Sequence, residues 1–200
     1  MAPEFATNQE IVEQARRRLN QEAWDYLTGA SESETTMRRN RAGFDRLAFL
    51  PRTLIDVTNV DISTTVLGHQ LQAPVMLAPM GSLQTLDREG GAASAKAAAE
   101  FGTLHVVSSV TQPSLEEIAA ATTTPKIFQL YIRGDWEWIE EMLGRINAAG
   151  YNGLCITVDT AVQSRRERVM MNRLARGTAA ARNPLYPASV TWELLDKIKE

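Results

Sequence analysis

From Pro74 onward the chain repeats one pattern four times: a short unbroken apolar run, then a stretch that favours helix. The runs are PVMLAP (74–79), TLHVVSS (103–109), KIFQLYI (126–132) and GLCITVD (153–159). The helix-forming stretches are GGAASAKAAAEFG (90–102), SLEEIAAA (114–121), DWEWIEEMLGRINAAG (135–150) and, after a long segment at 160–190, TWELLDKIKE (191–200). Apolar strands without alternation bury both faces, so strands alternating with helices predict a parallel sheet covered by helices. Two architectures satisfy this, a doubly wound open sheet and a (β/α)8 barrel. The turn after the first run, Met80-Gly81-Ser82, lacks the G-x-G-x-x-G spacing of a dinucleotide fold, which favours the barrel. A barrel needs about 250 residues. The expectation is therefore an α/β fold of the (β/α)8 TIM-barrel type in which residues 74–200 supply the first four βα units.

Residues 1–73 read as a separate N-terminal part that caps the barrel. Ile11, Val12, Ala15, Leu19, Ala23 and Leu27 recur at helical steps, predicting one amphipathic helix over 8–28 that stops at Gly29. SESETTMRRNRAGF (31–44) predicts a second, charged helix, and 45–73 predicts irregular chain with small antiparallel strands.

Composition narrows the function classes. The chain has 200 residues, 44% hydrophobic and 22% charged, with a net charge of −3. That acidic balance argues against a nucleic-acid partner. No apolar run reaches the ~20 residues of a membrane span, and MAPEFATNQE has no basic lead into an apolar stretch, so no secretory signal is expected. A single cysteine, Cys155, excludes an intrachain disulfide. Together these features predict a cytoplasmic protein. Seventeen of the 21 basic residues are Arg, the planar partner of carboxylates and phosphates. His69 lies beside a turn glycine and His105 inside an apolar run; both read as structural, and no metal site is expected.

The chemistry gathers at the C-terminal ends of the four runs, where barrel enzymes build their sites. The first run ends in Pro79, Met80 and Gly81, and the second in Ser108-Ser109. Gln129 and Tyr131 sit two apart on the third, Thr157 and Asp159 two apart on the fourth, so each pair shares a strand face. Inward Gln, Thr and Asp side chains on buried strands need partners. A flat heterocycle rich in donors and acceptors, such as a flavin, would supply them.

Several motifs carry a more specific signal: Asp25-Tyr26 in WDYLTGA, FLPRTLIDVTNVDISTTVLG, APVMLAPMG, FQLY, and TVDTAVQSRRE. Through them the chain, from about residue 10 to 174, resembles the FMN-dependent α-hydroxy acid oxidases and dehydrogenases. The resemblance implies FMN as cofactor and a small L-2-hydroxy acid as substrate. It implies that Pro79, Met80 and Gly81 form a turn against the flavin, with Ser108, Gln129 and Thr157 bonding its ring. Tyr26 and Tyr131 would line the substrate pocket, and Arg166 would help hold the substrate carboxylate. Asp159 would orient and charge-stabilise a proton-accepting histidine, completing a catalytic set with the two tyrosines.

Val110 stands where many members have a large aromatic residue, which leaves room for a bulkier acid. Met80-Gly81 replaces the Ala-ended turn of several oxidases, so oxidase and dehydrogenase both stay open. The histidine, a second arginine, a lysine near the flavin and the phosphate site belong to later strands in this family. Neither His69 nor His105 matches that histidine. The chain is thus expected to be an N-terminal half, inactive alone, whose partner is the remaining half-barrel, forming a homo-oligomer when complete. The alternative is a non-catalytic fragment that self-associates through its open sheet edge. Arg165, Arg166, Arg168, Arg173, Arg176 and Arg182, with Met170 and Met171, read as a solvated loop or as a basic lid.

Overall fold

The computed structural model describes residues 5–162, 164–172 and 185–199. They fall into two compact units, one from residues 5–55 and 164–172, the other from 56–162 and 185–199.

In the first unit, α1 (Asn8–Arg18) and α2 (Gln21–Thr28) replace the single helix expected over 8–28. Leu19 is extended at ψ 140°, and the Asn20 side chain accepts from Ala23 N, starting a new helix. The apolar period continues across this break, so periodicity alone could not locate it; the capping residue does. Helix α3 (Thr35–Asp45) follows, capped by Glu34 in the left-handed region at φ 59°.

The second unit begins with β1 (Thr64–Val66) and β2 (His69–Leu71), an antiparallel hairpin matching the small strands expected before residue 73. Its sheet contains β3 (His105–Ser108), β4 (Lys126–Leu130) and β5 (Gly153–Ile156), all parallel and in sequence order. The first apolar run does not become a strand. Only Leu77 pairs, bridging His105 in parallel, because Pro74 and Pro79 carry no N–H for a ladder. The three-stranded sheet therefore has a one-residue fourth position at the place expected for the first strand.

Helices α4 (Gly91–Phe101), α5 (Leu115–Ala120) and α6 (Trp136–Ala148) follow the predicted boundaries closely. Val107, Phe128 and Leu130 face these helices, joining Ala95, Ile118, Ile139 and Ile146 in one core. The short helices α7 (Glu167–Met171) in the first unit and α8 (Leu185–Ala188) and α9 (Trp192–Lys199) in the second complete the described elements. Leu194 and Ile198 of α9 pack on the same core.

Helix α5 starts with a capping box: Ser114 Oγ accepts from Glu117 N, and Glu117 Oε2 accepts from Ser114 N. With only one and a half turns, α5 depends on that cap. Ser114→Ala is expected to cost about 1 kcal/mol, read as a lower urea midpoint with unchanged slope.

His105 lies buried on the helix side of β3, its Nε2 3.2 Å from Ser94 Oγ and its Nδ1 without a partner among the described residues. Burial, assisted by the Lys126 charge, lowers its pKa from 6.5 to about 4. The folded chain keeps this ring neutral where the unfolded chain protonates it. The stabilisation is present above pH 6.5 and is lost as pH falls towards 4, by about 3 kcal/mol in total. Urea midpoints taken across this range should fall for the parent chain and flatten in His105→Gln.

Candidate flavin site

Residues that pair along the sheet share a face, so Ser108, Gln129 and Cys155 stand opposite the helix layer, with Thr157 two residues beyond Cys155. There three side chains form one hydrogen-bonded row. Ser108 Oγ donates to Gln129 Oε1 at 2.9 Å, and Gln129 Nε2 donates to Thr157 Oγ1 at 2.6 Å. Ser108 and Gln129 are 4% and 2% exposed, so the amide is oriented before any ligand arrives. Each backbone position is fixed as well: Ser109 N bonds Gln129 O, and Thr157 N bonds Leu130 O, extending both ladders past the strand ends. Parallel register is what turns residues 21 and 28 apart into neighbours.

The turn after the first run comes to the same place. Ser82 N bonds Val110 O at 3.0 Å. A Cβ on Gly81 would stand 2.5 Å from Val110 Cγ2 and 3.9 Å from Ser108 Oγ, a closer approach than a larger residue allows without movement. Pro79 and Met80 are exposed beside it.

The remaining predicted residues are distributed as follows. Tyr131 is half-buried, its N–H bonded to Ser109 Oγ and its ring 5.9 Å from the Arg133 guanidinium. Asp159 is exposed two residues past Thr157. Tyr26 and Arg166 belong to the first unit and meet each other there. The Arg166 guanidinium lies 5.0 Å from the Tyr26 ring centre, and its Nη2 donates to Tyr26 O and Gly29 O at 2.5 and 2.6 Å. Arg173, Arg176 and Arg182 lie outside the described residues.

Sequence reasoning missed Arg168. Its Nε donates to Glu34 Oε1 at 2.6 Å, Nη1 to Thr28 Oγ1 at 3.2 Å and Nη2 to Thr28 O at 3.0 Å. Its only sequence signal was the arginine-rich context, which read as a solvated loop or a basic lid. Asp25 entered only as part of a motif and was given no role; it is buried at 8% exposure. Hydrogen bonds from Gln21 and Asn172, then the Arg168 charge, hold its carboxyl below the usual carboxylate range. A cleft of about 260 Å³ opens beside Ser109 and Tyr131, but Leu115, Phe128 and Met142 line it. Ser108, a member of the row, lines it too, so the cleft runs from beside the row into the helix layer.

A flat ring with carbonyl and imide groups fits that row. Gln129 has a second amide N–H and a second carbonyl lone pair, and Thr157 has a hydroxyl hydrogen to give. Comparison with known proteins decides between flavin and other heterocycles, because residues 15–196 match the FMN-dependent dehydrogenase family. The chain belongs to that family. Glycolate oxidase 1 of Zea mays is 38% identical over 159 residues, 80% of this chain and 43% of the relative. The L-lactate oxidase of Nostoc sp. is 40% identical over 167 residues, 82% and 46% respectively. Among solved structures, a mandelate oxidase variant with (S)-mandelic acid superposes with a TM-score of 0.85 at 28% identity, covering 98% of this chain and 58% of that one. A mutant of the active chimera of (S)-mandelate dehydrogenase gives 0.78 at 31%, covering 82% and 46%. The chain spans less than half the length of the curated relatives it matches. FMN is the cofactor of this family, and the Ser108, Gln129 and Thr157 row offers complementary groups to its ring.

Proposed function

We propose that this chain forms the flavin-cradling half of a (β/α)8 barrel that oxidises an L-2-hydroxy acid to the 2-oxo acid. The observation that carries the reading is the row Ser108, Gln129 and Thr157, built across three parallel strands beside the close turn at Gly81. Bound FMN supplies the two-electron acceptor for oxidation of the substrate's α-carbon. Pro79 and Met80, both exposed, would lie against the ring, and Ser108, Gln129 and Thr157 would hold its polar edge. Tyr131 and Tyr26 donate to substrate oxygens, and Arg166 pairs with the carboxylate. One Arg166 nitrogen is already anchored, and no hydrogen bond among the described residues uses its Nε or Nη1. Asp159 orients a histidine as it takes the hydroxyl proton. This histidine comes from the other half of the barrel, since His105 is buried behind the sheet and His69 lies in the hairpin.

Val110 in place of a large aromatic residue favours a bulky acid, in keeping with the mandelic acid held by a structural neighbour. Mixing the chain with the second half-barrel of a matched relative, such as the Nostoc lactate oxidase, tests the reading. Flavin bleaching under nitrogen by L-2-hydroxy acids is expected, fastest with an aromatic one; no bleaching with any would count against it.

A second reading, self-association without catalysis, is favoured by one feature. Phe49, Leu50 and Leu54 are fully exposed, and soluble chains rarely leave such residues bare together. Sedimentation of the chain alone, showing concentration-dependent mass and no bound flavin, would support that reading.

A further inference from the structure

Three carbonyls at the C-terminal end of α2, those of Tyr26, Thr28 and Gly29, are capped by guanidinium groups of residues 166 and 168. A helix C-terminus leaves its last carbonyls unpaired and carries partial negative charge, so cations are stable there. Arg168 does more than cap. Its fork spans Glu34, Thr28 Oγ1 and Thr28 O, and its Nη1 lies 3.9 Å from Asp25 Oδ1. Just past the end of α7, Asn172 Nδ2 donates to Asp25 Oδ2 at 2.5 Å. Glu34, which receives Arg168, also accepts from Ala30 N, and holds a left-handed backbone that a non-glycine residue adopts only when its surroundings fix it. Glu32 N bonds Arg165 O at 2.7 Å, adding a backbone tie. The ring of Tyr26 and the guanidinium of Arg166 are thus bracketed by contacts that Arg168 organises.

We propose that Arg168 is a positioning residue: by joining α7 to α2 and Glu34 it holds Arg166 against Tyr26 in the geometry that receives the substrate carboxylate. The proposal rests on the function proposed above for Tyr26 and Arg166. Without Arg168, Asp25 and Glu34 are left as two carboxylates beside a helix C-terminus with no guanidinium between them. Of its ties to α2, segment 164–172 then keeps those of Arg166 and Asn172, and Arg166 is no longer braced by the fork two residues on. Lysine, a point charge, can meet Glu34 but not the two Thr28 oxygens as well.

Two readouts test it on Arg168→Met and Arg168→Lys. In the chain alone, the Arg166 Nε–H resonance, displaced by the Tyr26 ring, should return to the position of a free arginine in Arg168→Met and part-way in Arg168→Lys. In the chain complemented by a relative's second half, Arg168→Met should raise KM for the hydroxy acid at least tenfold. Its kcat should stay within threefold and FMN affinity should not change. An unmoved Arg166 resonance overturns the proposal, as does a KM unchanged while only thermal stability falls. If the complemented parent reduces no flavin, the function reading fails, and the resonance still decides whether Arg168 positions Arg166.

Discussion

Gln129→Leu is expected to weaken FMN binding about a hundredfold in the complemented barrel and to lower stability by about 1–3 kcal/mol. The side chain is nearly sealed from water and serves both neighbours, accepting from Ser108 and donating to Thr157. Leucine has a similar size but leaves the Ser108 hydroxyl, itself buried, without its acceptor, and an unpaired buried group costs about 1–3 kcal/mol. For the flavin, the substitution removes the amide and releases the Thr157 hydroxyl from its set orientation. Two hydrogen bonds at about 1.4 kcal/mol each correspond to a hundredfold in affinity. Flavin fluorescence quenching measures the affinity, and urea denaturation of the flavin-free chain measures the stability. Affinity within threefold of the parent would show that the row is a structural feature of the sheet and not a flavin contact.

Leu130→Ala, one residue along, should do the opposite. Leu130 is fully buried and points into the helix layer among Phe128, Ile139 and Met142. Truncating a leucine in such a core removes transfer energy and leaves a cavity, about 3–4 kcal/mol together. For a chain of this size that lowers Tm by about 10 °C. The Gln129 row is on the other face of the strand and the ladder bonds do not involve the Leu130 side chain. FMN affinity, measured where the variant is still folded, should therefore stay within threefold. Calorimetry and a flavin titration give both numbers. The pair of neighbours on β4 thus separates what the strand does for the fold from what it does for the site.

Much of the second unit was legible because its signals are local. Runs such as KIFQLYI and capped helices such as SLEEIAAA carry their own start, stop and face. The strand ends were legible as places where polar side chains gather, and Ser108, Gln129 and Thr157 do meet there. The first strand was misread because apolar content alone marks it, while Pro74 and Pro79 deny it a ladder and leave one bridge at Leu77. The break at Leu19 was hidden because the apolar period runs through it, and only the Asn20 cap reveals it. The Arg168 contacts were invisible for a different reason. They join residues 134 and 140 positions apart, and no local pattern reports a partner that distant. Arg166 was singled out by its motif, yet its anchoring to Tyr26 O and Gly29 O is a property of the fold alone.

The central claim is that a flavin ring meets Gln129 and Thr157 at the ends of neighbouring parallel strands. Heteronuclear NMR of the labelled chain, titrated with FMN alone and after addition of a relative's second half, tests it most directly. The side-chain amide pair of Gln129 and the backbone amides of Ser109 and Thr157 should shift together and saturate at one flavin per chain. A flavin-saturated sample in which these resonances stay in place, while others move, would contradict the account.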